Sequence, residues 1–193
     1  MLLIRHAESE WNRVVGACRI DPGMPDPAIT AEGALAAREA AATLADAGIA
    51  RLVASPYRRT LQTAAILAEA LALPVLVEPL ARERCAFTCD QGTPRSQLAA
   101  EWPELALDGL EERWWGTMIE SVASLERRAA AFLARYRDDP LRDRTAVVTH
   151  WGFIRCVSGQ EVGNLHSVRL TFGPTLNPQP APAAAPAQQK DPS

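Results

Sequence analysis

The chain has 193 residues, 48% hydrophobic and 22% charged, with a formal net charge of -3 and a pI near 5.7. That balance suits one globular domain with a sizeable core and excludes the basic footprint of a general nucleic-acid binder. No apolar run approaches the roughly 20 residues of a membrane span, and the scattered Cys18, Cys85, Cys89 and Cys156 fit a reduced cytoplasm better than a disulfide framework.

The first expected strand is residues 2–4, a short apolar run that ends on Arg5 and His6. No secretory leader is expected ahead of a strand that starts at Leu2 and carries Arg5. Residues 8–16 suggest a short helix closing near Gly16, and the three prolines of 18–30 a loop. Thr30 is a plausible N-cap for an Ala-rich helix over 31–47, closed by Gly48. A second strand over 51–55 leads into a helix over 56–73, with Pro56 in its first turn. A third strand covers 74–78. In 121–139, Val122, Leu125, Ala129, Phe132, Leu133 and Tyr136 form one helical face, read as core packing. A fourth strand over 145–150, a helix from Trp151 and a last strand over 167–172 complete the order. Strands alternating with helices predict a three-layer α/β/α fold on a mostly parallel sheet. The domain is expected over 1–173, with a lid-like insert at about 84–120. The Pro- and Ala-rich segment 174–193 lacks the apolar residues to fold and is expected to be disordered.

Four strand ends carry the chemistry. The first ends at Arg5-His6, and the second runs into Ser55 and Arg58-Arg59. The third is followed by Arg82, Glu83 and Arg84, and the fourth ends at His150. Parallel strands would bring all four ends to one rim, where open α/β sheets bind ligands. Two histidines, several guanidiniums and one acid make a cationic pocket, and Arg forks match phosphate geometry. Each residue also has a plainer reading: a structural histidine at a strand end, or a solvated charge cluster for the Arg-Glu-Arg run. Cys85 and Cys89 have the wrong spacing for a zinc finger, and no metal site is expected.

The stretches "RHAES" (5–9), "SPYRRTLQTA" (55–64), "LARER" (80–84) and "VVTHWGFIR" (147–155), in that order, resemble the histidine phosphatase superfamily, also called the phosphoglycerate mutase-like family. The resemblance runs from Leu2 to about Phe172. It implies a phosphohistidine on His6, phosphate binding by Arg5, Arg59 and His150, and proton donation by Glu83. Arg59, not Arg58, matches the family's S-P-x-x-R spacing, and Asn12 is similar to a phosphate-contacting residue of many members. Ala7 stands where Gly is more frequent and is expected to keep a negative φ. Trp151 replaces a smaller residue and is a substrate-lid candidate that would narrow the pocket mouth or stack on a substrate, with plain packing as the alternative. The segment from Glu83 through Cys85, Cys89, Arg95 and Ser96 to Trp114-Trp115 is also similar to one subgroup of the family. Trp114 and Trp115 are candidates for a substrate lid, or for a small satellite core.

The implied chemistry is plausible on its own terms. Neutral imidazole is nucleophilic near pH 7, in-line attack on phosphorus needs positioning and charge, and a leaving alkoxide needs a proton. Arg5, Arg59 and a protonated His150 would supply the charge. The implied function is a metal-independent phosphomonoesterase, without cofactor, acting on a small phosphorylated molecule. A phosphoglycerate-type mutase and a noncatalytic phosphate-binding module are the alternatives. No nucleic-acid or membrane partner is implied, and the oligomeric state is unspecified.

Overall fold

Strand β1 (Leu2–Arg5) shows how the sheet acquires two buried faces. Successive strand residues point to opposite sides. Leu3 joins one core cluster and Ile4 the other, both essentially inaccessible to solvent. The same alternation recurs in β2 (Arg51–Ala54), where Val53 opposes Leu52 and Ala54. It recurs again in β4 (Thr145–Thr149), where Val147 opposes Ala146 and Val148. Both faces must therefore be covered, and the chain supplies helices for each.

The computed structural model describes residues 1–117 and 119–172. With β3 (Val75–Val77) and β5 (Ser167–Arg169), the sheet order is β3-β2-β4-β1-β5. The first four strands are mutually parallel; β5 runs antiparallel on the β1 edge. Helices α2 (Ala31–Leu44) and α3 (Arg58–Leu71) contribute Ala41, Leu61, Ala64 and Leu67 to one face. Helices α5 (Val122–Tyr136) and α6 (Trp151–Ser158) contribute Leu125, Phe132, Phe153 and Ile154 to the other. The expected three-layer, mostly parallel α/β fold is the fold observed. No described helix is long and apolar enough to cross a membrane.

Element ends differ from expectation for local reasons. Helix α1 (Glu10–Cys18) passes Gly16 and stops where Arg19 turns left-handed at φ 60°. Helix α2 ends at Leu44, not 47, because Ala47 N–H bonds to the Leu44 carbonyl in a turn that leads to Gly48 at φ 67°. Helix α3 starts at Arg58 rather than Pro56, since Tyr57 is still extended. Strand β5 stops at Arg169. The insert contains an unexpected helix, α4 (Arg95–Glu101), which lodges Leu98 in the same core cluster as Tyr57 and Leu61. The tail expected over 174–193 lies outside the described residues.

Candidate active site

The parallel pairing sends the ends of β1, β2, β3 and β4 to one rim. The backbone N–H of His6 bonds to the Thr149 carbonyl at 2.9 Å, which joins the ends of β1 and β4. His6 and His150 follow those ends, with ring centroids 5.3 Å apart. Arg59 comes from the first turn of α3, and Glu83 follows a 3₁₀ turn, Pro79–Ala81. A pocket of about 480 Å³ opens here, lined by Arg5, His6, Asn12, Arg59, Glu83 and Trp151 among others.

His6 is held in one tautomer. Its Nδ1 lies 2.7 Å from the Ala7 carbonyl, an acceptor only, so the proton sits on Nδ1 and Nε2 keeps its lone pair. Burial, and then the guanidiniums of Arg59 and Arg5, hold its pKa well below the ordinary histidine value. The imidazole is thus neutral and nucleophilic at physiological pH. Ala7 is not among the positive-φ residues, and its N–H bonds to Thr63 Oγ1 at 3.1 Å.

Arg59 is almost wholly buried, with side-chain exposure of 4%, and donates to the Cys89 carbonyl at 2.8 Å and to Asp90 Oδ1 at 3.2 Å. Asp90 Oδ2 accepts the N–H groups of Ala86 and Phe87, each at 3.0 Å, so one carboxylate fixes both the guanidinium and the loop beside it. Arg5 donates to the Val162 carbonyl at 2.8 Å. Asn12 Oδ1 accepts from Ser9 N–H, Ser9 Oγ and Asn164 Nδ2 at 3.2, 3.0 and 3.3 Å, which leaves its amide N–H groups as donors for the pocket. Asn164 also donates to the His6 carbonyl at 2.9 Å.

His150 is fully buried and lies behind the pocket wall. Its Nε2 pairs with Ser55 Oγ at 2.8 Å. Burial, then Arg59, then His6 depress its pKa well below the ordinary value, so the ring is neutral in the unliganded pocket, and the protonated His150 expected from sequence belongs to the phosphate-bound site. A phosphate dianion would oppose that depression. Among the described residues, Arg5 Nε and His150 Nδ1 are both buried without a hydrogen-bond partner. Arg5 Nε–H is an unpaired buried donor that suits an anion, and His150 Nδ1 becomes one when the ring is protonated.

Glu83 is not a solvated member of its Arg-Glu-Arg run. Burial raises its carboxyl pKa, Asp90 adds to the rise, and N–H donors of Gly152 and Arg84 at 3.0 and 2.8 Å oppose it. Gly152 is required by the approach: a Cβ there would lie 2.4 Å from Glu83 Oε1. The Glu83 segment is strapped by buried Arg128 on α5, which donates to the carbonyls of Leu80, Arg82 and Glu83 and to Glu120.

Trp151 lines the pocket, stacked with Arg155, whereas Trp114 and Trp115 do not. Trp114 is 7% exposed, packs edge-on to Tyr57 at 4.7 Å and donates to the Thr93 carbonyl. Trp114 joins, and Trp115 packs against, the main core cluster of Tyr57 and Leu61, so they form neither the expected lid over the pocket nor a separate satellite core. The pocket's other aromatics are Trp11 and Phe87. Cys85 and Cys89 are buried, with thiol pKa values pushed up by burial, to about 11 for Cys85, so neither is a ready nucleophile. Among the described residues no group of three or more His, Cys, Asp or Glu side chains could hold a metal ion. Sequence reasoning missed Asp90, Asn164, Arg128 and Gly152 as parts of the site.

Residues 1–168 match the family model of the histidine phosphatase superfamily (branch 1). A relative in Proteus mirabilis named as a probable phosphoglycerate mutase, GpmB, is 31% identical over 172 residues, covering 83% of this chain and 74% of the relative. The fold is similar to that of a mycobacterial glucosyl-3-phosphoglycerate phosphatase, with 24% identity, TM-score 0.60, and coverage of 86% of this chain and 87% of that one. It is also similar to a phosphoserine phosphatase mutant from Entamoeba histolytica in complex with phosphoserine, with 20% identity, TM-score 0.55, and coverage of 86% and 87% respectively.

Proposed function

This chain belongs to the histidine phosphatase superfamily (branch 1), and on that footing we propose that it hydrolyses phosphate monoesters through a phosphohistidine on His6. The observation that carries the reading is the state of His6: a buried, neutral imidazole whose Nδ1–H is committed to the Ala7 carbonyl, set beside two guanidiniums. In the first step Nε2 attacks phosphorus in line as the P–O ester bond breaks. Glu83, whose carboxyl is biased toward the protonated form by burial, gives its proton to the departing oxygen. Arg5, Arg59 and the amide of Asn12 hold the phosphoryl oxygens, and their charge stabilises the transition state. A bound phosphate dianion raises the pKa of His150, which takes up a proton from solvent, donates through Nδ1–H to a phosphoryl oxygen, and returns the proton to solvent when phosphate leaves. In the second step water attacks the phosphohistidine, Glu83 takes the proton, and phosphate leaves with His6 neutral again. No metal is needed for either step, so turnover should survive a chelator.

Relatives named as probable phosphoglycerate mutases favour a second reading, in which the phosphoryl group passes to another hydroxyl. The chain spans about three quarters of those relatives' length. Following the phosphoenzyme with and without 2- or 3-phosphoglycerate separates the two. Hydrolysis at a rate matching turnover supports the phosphatase. Transfer to phosphoglycerate that outruns hydrolysis supports the mutase.

A further inference from the structure

The residues assigned to phosphoryl transfer use only part of the pocket. At about 480 Å³ it has the size that encloses a small organic ligand rather than a bare phosphate. Four guanidiniums line it, those of Arg5, Arg19, Arg59 and Arg84, against two carboxyls, Glu83 and Asp90. Arg59 is matched by Asp90, and Arg5 faces the phosphoryl position beside His6. Arg19 and Arg84 are left over. Arg84 is anchored by its Nε to the Glu120 carbonyl at 2.8 Å, and its two terminal nitrogens have no carboxylate partner among the described residues. Arg19 sits exposed at the end of α1, also without an acidic partner there.

Next to these cations stands an apolar wall. Trp11 and Phe87 touch at a centroid distance of 5.3 Å, and Phe87 is 51% exposed. The wall is built across two separate segments. Asp21 receives Trp11 Nε1–H and Thr88 N–H, each at 3.0 Å, tying the loop after α1 to the turn that carries Phe87. Half-buried Trp11 and exposed Phe87, in segments joined by one carboxylate, lie outside both core clusters. They suit the carbon body of a ligand.

We propose that the substrate is a phosphate monoester bearing a second anionic group, held by Arg84 and Arg19, with its carbon body against Trp11 and Phe87. The second anion is a carboxylate or another phosphoryl group, since guanidinium forks take either. This inference rests on the phosphatase reading for the position of the first phosphate. It goes beyond that reading in naming the substrate class.

The test measures binding, because phosphonates occupy the site without being hydrolysed. Calorimetric titration would compare phenylphosphonate, 3- and 4-carboxyphenylphosphonate and 1,4-phenylenebisphosphonate on the wild type, Arg19→Gln and Arg84→Gln. The expected result is that at least one doubly anionic probe binds about tenfold tighter than phenylphosphonate, the scale of one charge-assisted pair. That gain should fall to about threefold or less in at least one variant, which locates the second anion. A gain confined to the carboxylates or to the bisphosphonate identifies its chemistry. The proposal is overturned if no doubly anionic probe binds tighter, or if the gain survives in both variants. Arg19→Gln keeps the comparison valid if Arg84→Gln misfolds, because Arg19 is exposed. Failure of the phosphatase reading is a different result: no turnover of phenyl phosphate by the wild type.

Discussion

Gly152→Ala isolates the placement of Glu83 from the stability of the fold. The new Cβ would lie 2.4 Å from Glu83 Oε1 and 3.2 Å from its Cδ, whereas ordinary contact begins at 3.4 Å. The carboxyl must retreat by about 1 Å, and a displacement of that size in a catalytic group can cost about 10²-fold in rate. The retreat also loosens the 3.0 Å hydrogen bond from Gly152 N–H to Oε2. Position 152 is the second residue of α6, in its first turn, where alanine is no worse a helix former than glycine, so the helix itself loses nothing. The expected outcome is a drop of about 10²-fold in single-turnover phosphoenzyme formation from an alkyl phosphate, with little change in melting temperature. p-Nitrophenyl phosphate, whose leaving group needs no proton, should be slowed far less. Glu83→Gln should show the same contrast, because Gln keeps the shape but carries no proton. Equal losses for both esters, or an unchanged alkyl rate, would refute the placement of Glu83 as the acid and the reason given for Gly152.

Asp90→Asn removes the buried partner of Arg59 and weakens the clamp on Ala86 and Phe87 N–H, so it should destabilise the fold by about 3 kcal/mol in chemical denaturation and lower kcat/KM. A change under about 0.5 kcal/mol would mean the pair contributes nothing net. The pH profile of phosphoenzyme formation should have an acid limb from His6, well below 6.5, and an alkaline limb from Glu83, above 4.5. Glu83→Gln should erase the alkaline limb alone; a profile unchanged in that variant would exclude Glu83 as its source. Stability should fall as pH drops below about 6.5, because the unfolded chain then binds protons on His6 and His150 that the folded chain, with depressed pKa values, refuses. Glu83 and Asp26, both raised in the folded state by burial, oppose this at the acid end, and the lowered N-terminal amine of Met1 adds to it. Melting scans between pH 7.5 and 5.5 check the sign, and a rising melting temperature over that range would contradict it.

The succession of strands along the chain, the rim they share and the five residues proposed for the site, Arg5, His6, Arg59, Glu83 and His150, are legible in the sequence because each ends or follows a strand or opens a helix. Apolar runs set the strands, and parallel pairing does the rest. What was not legible depends on direction within irregular chain. Nothing in the spacing of Trp114 and Trp115 says that Trp114 turns to Tyr57 rather than to the pocket. Asp90 was visible only as a neighbour of Cys89, and its bond to Arg59 spans 31 positions. Asn164 reaches Asn12 across 152 positions. Arg128 looks like a surface residue between Arg127 and Ala129 until α5 is docked against the Glu83 segment. The neutral state of His150 follows from burial among cations, which a sequence does not display.

The proposed chemistry turns on a phosphohistidine, which can be trapped. The protein would be mixed with a ³²P-labelled monoester, quenched in alkali within the first turnover, and its labelled peptide sequenced. An acid-labile, alkali-stable label is expected on His6, formed at least as fast as turnover and missing from His6→Ala, which should also lose hydrolysis. Turnover at the wild-type rate by His6→Ala, or a kinetically competent label on any other residue, would contradict that chemistry.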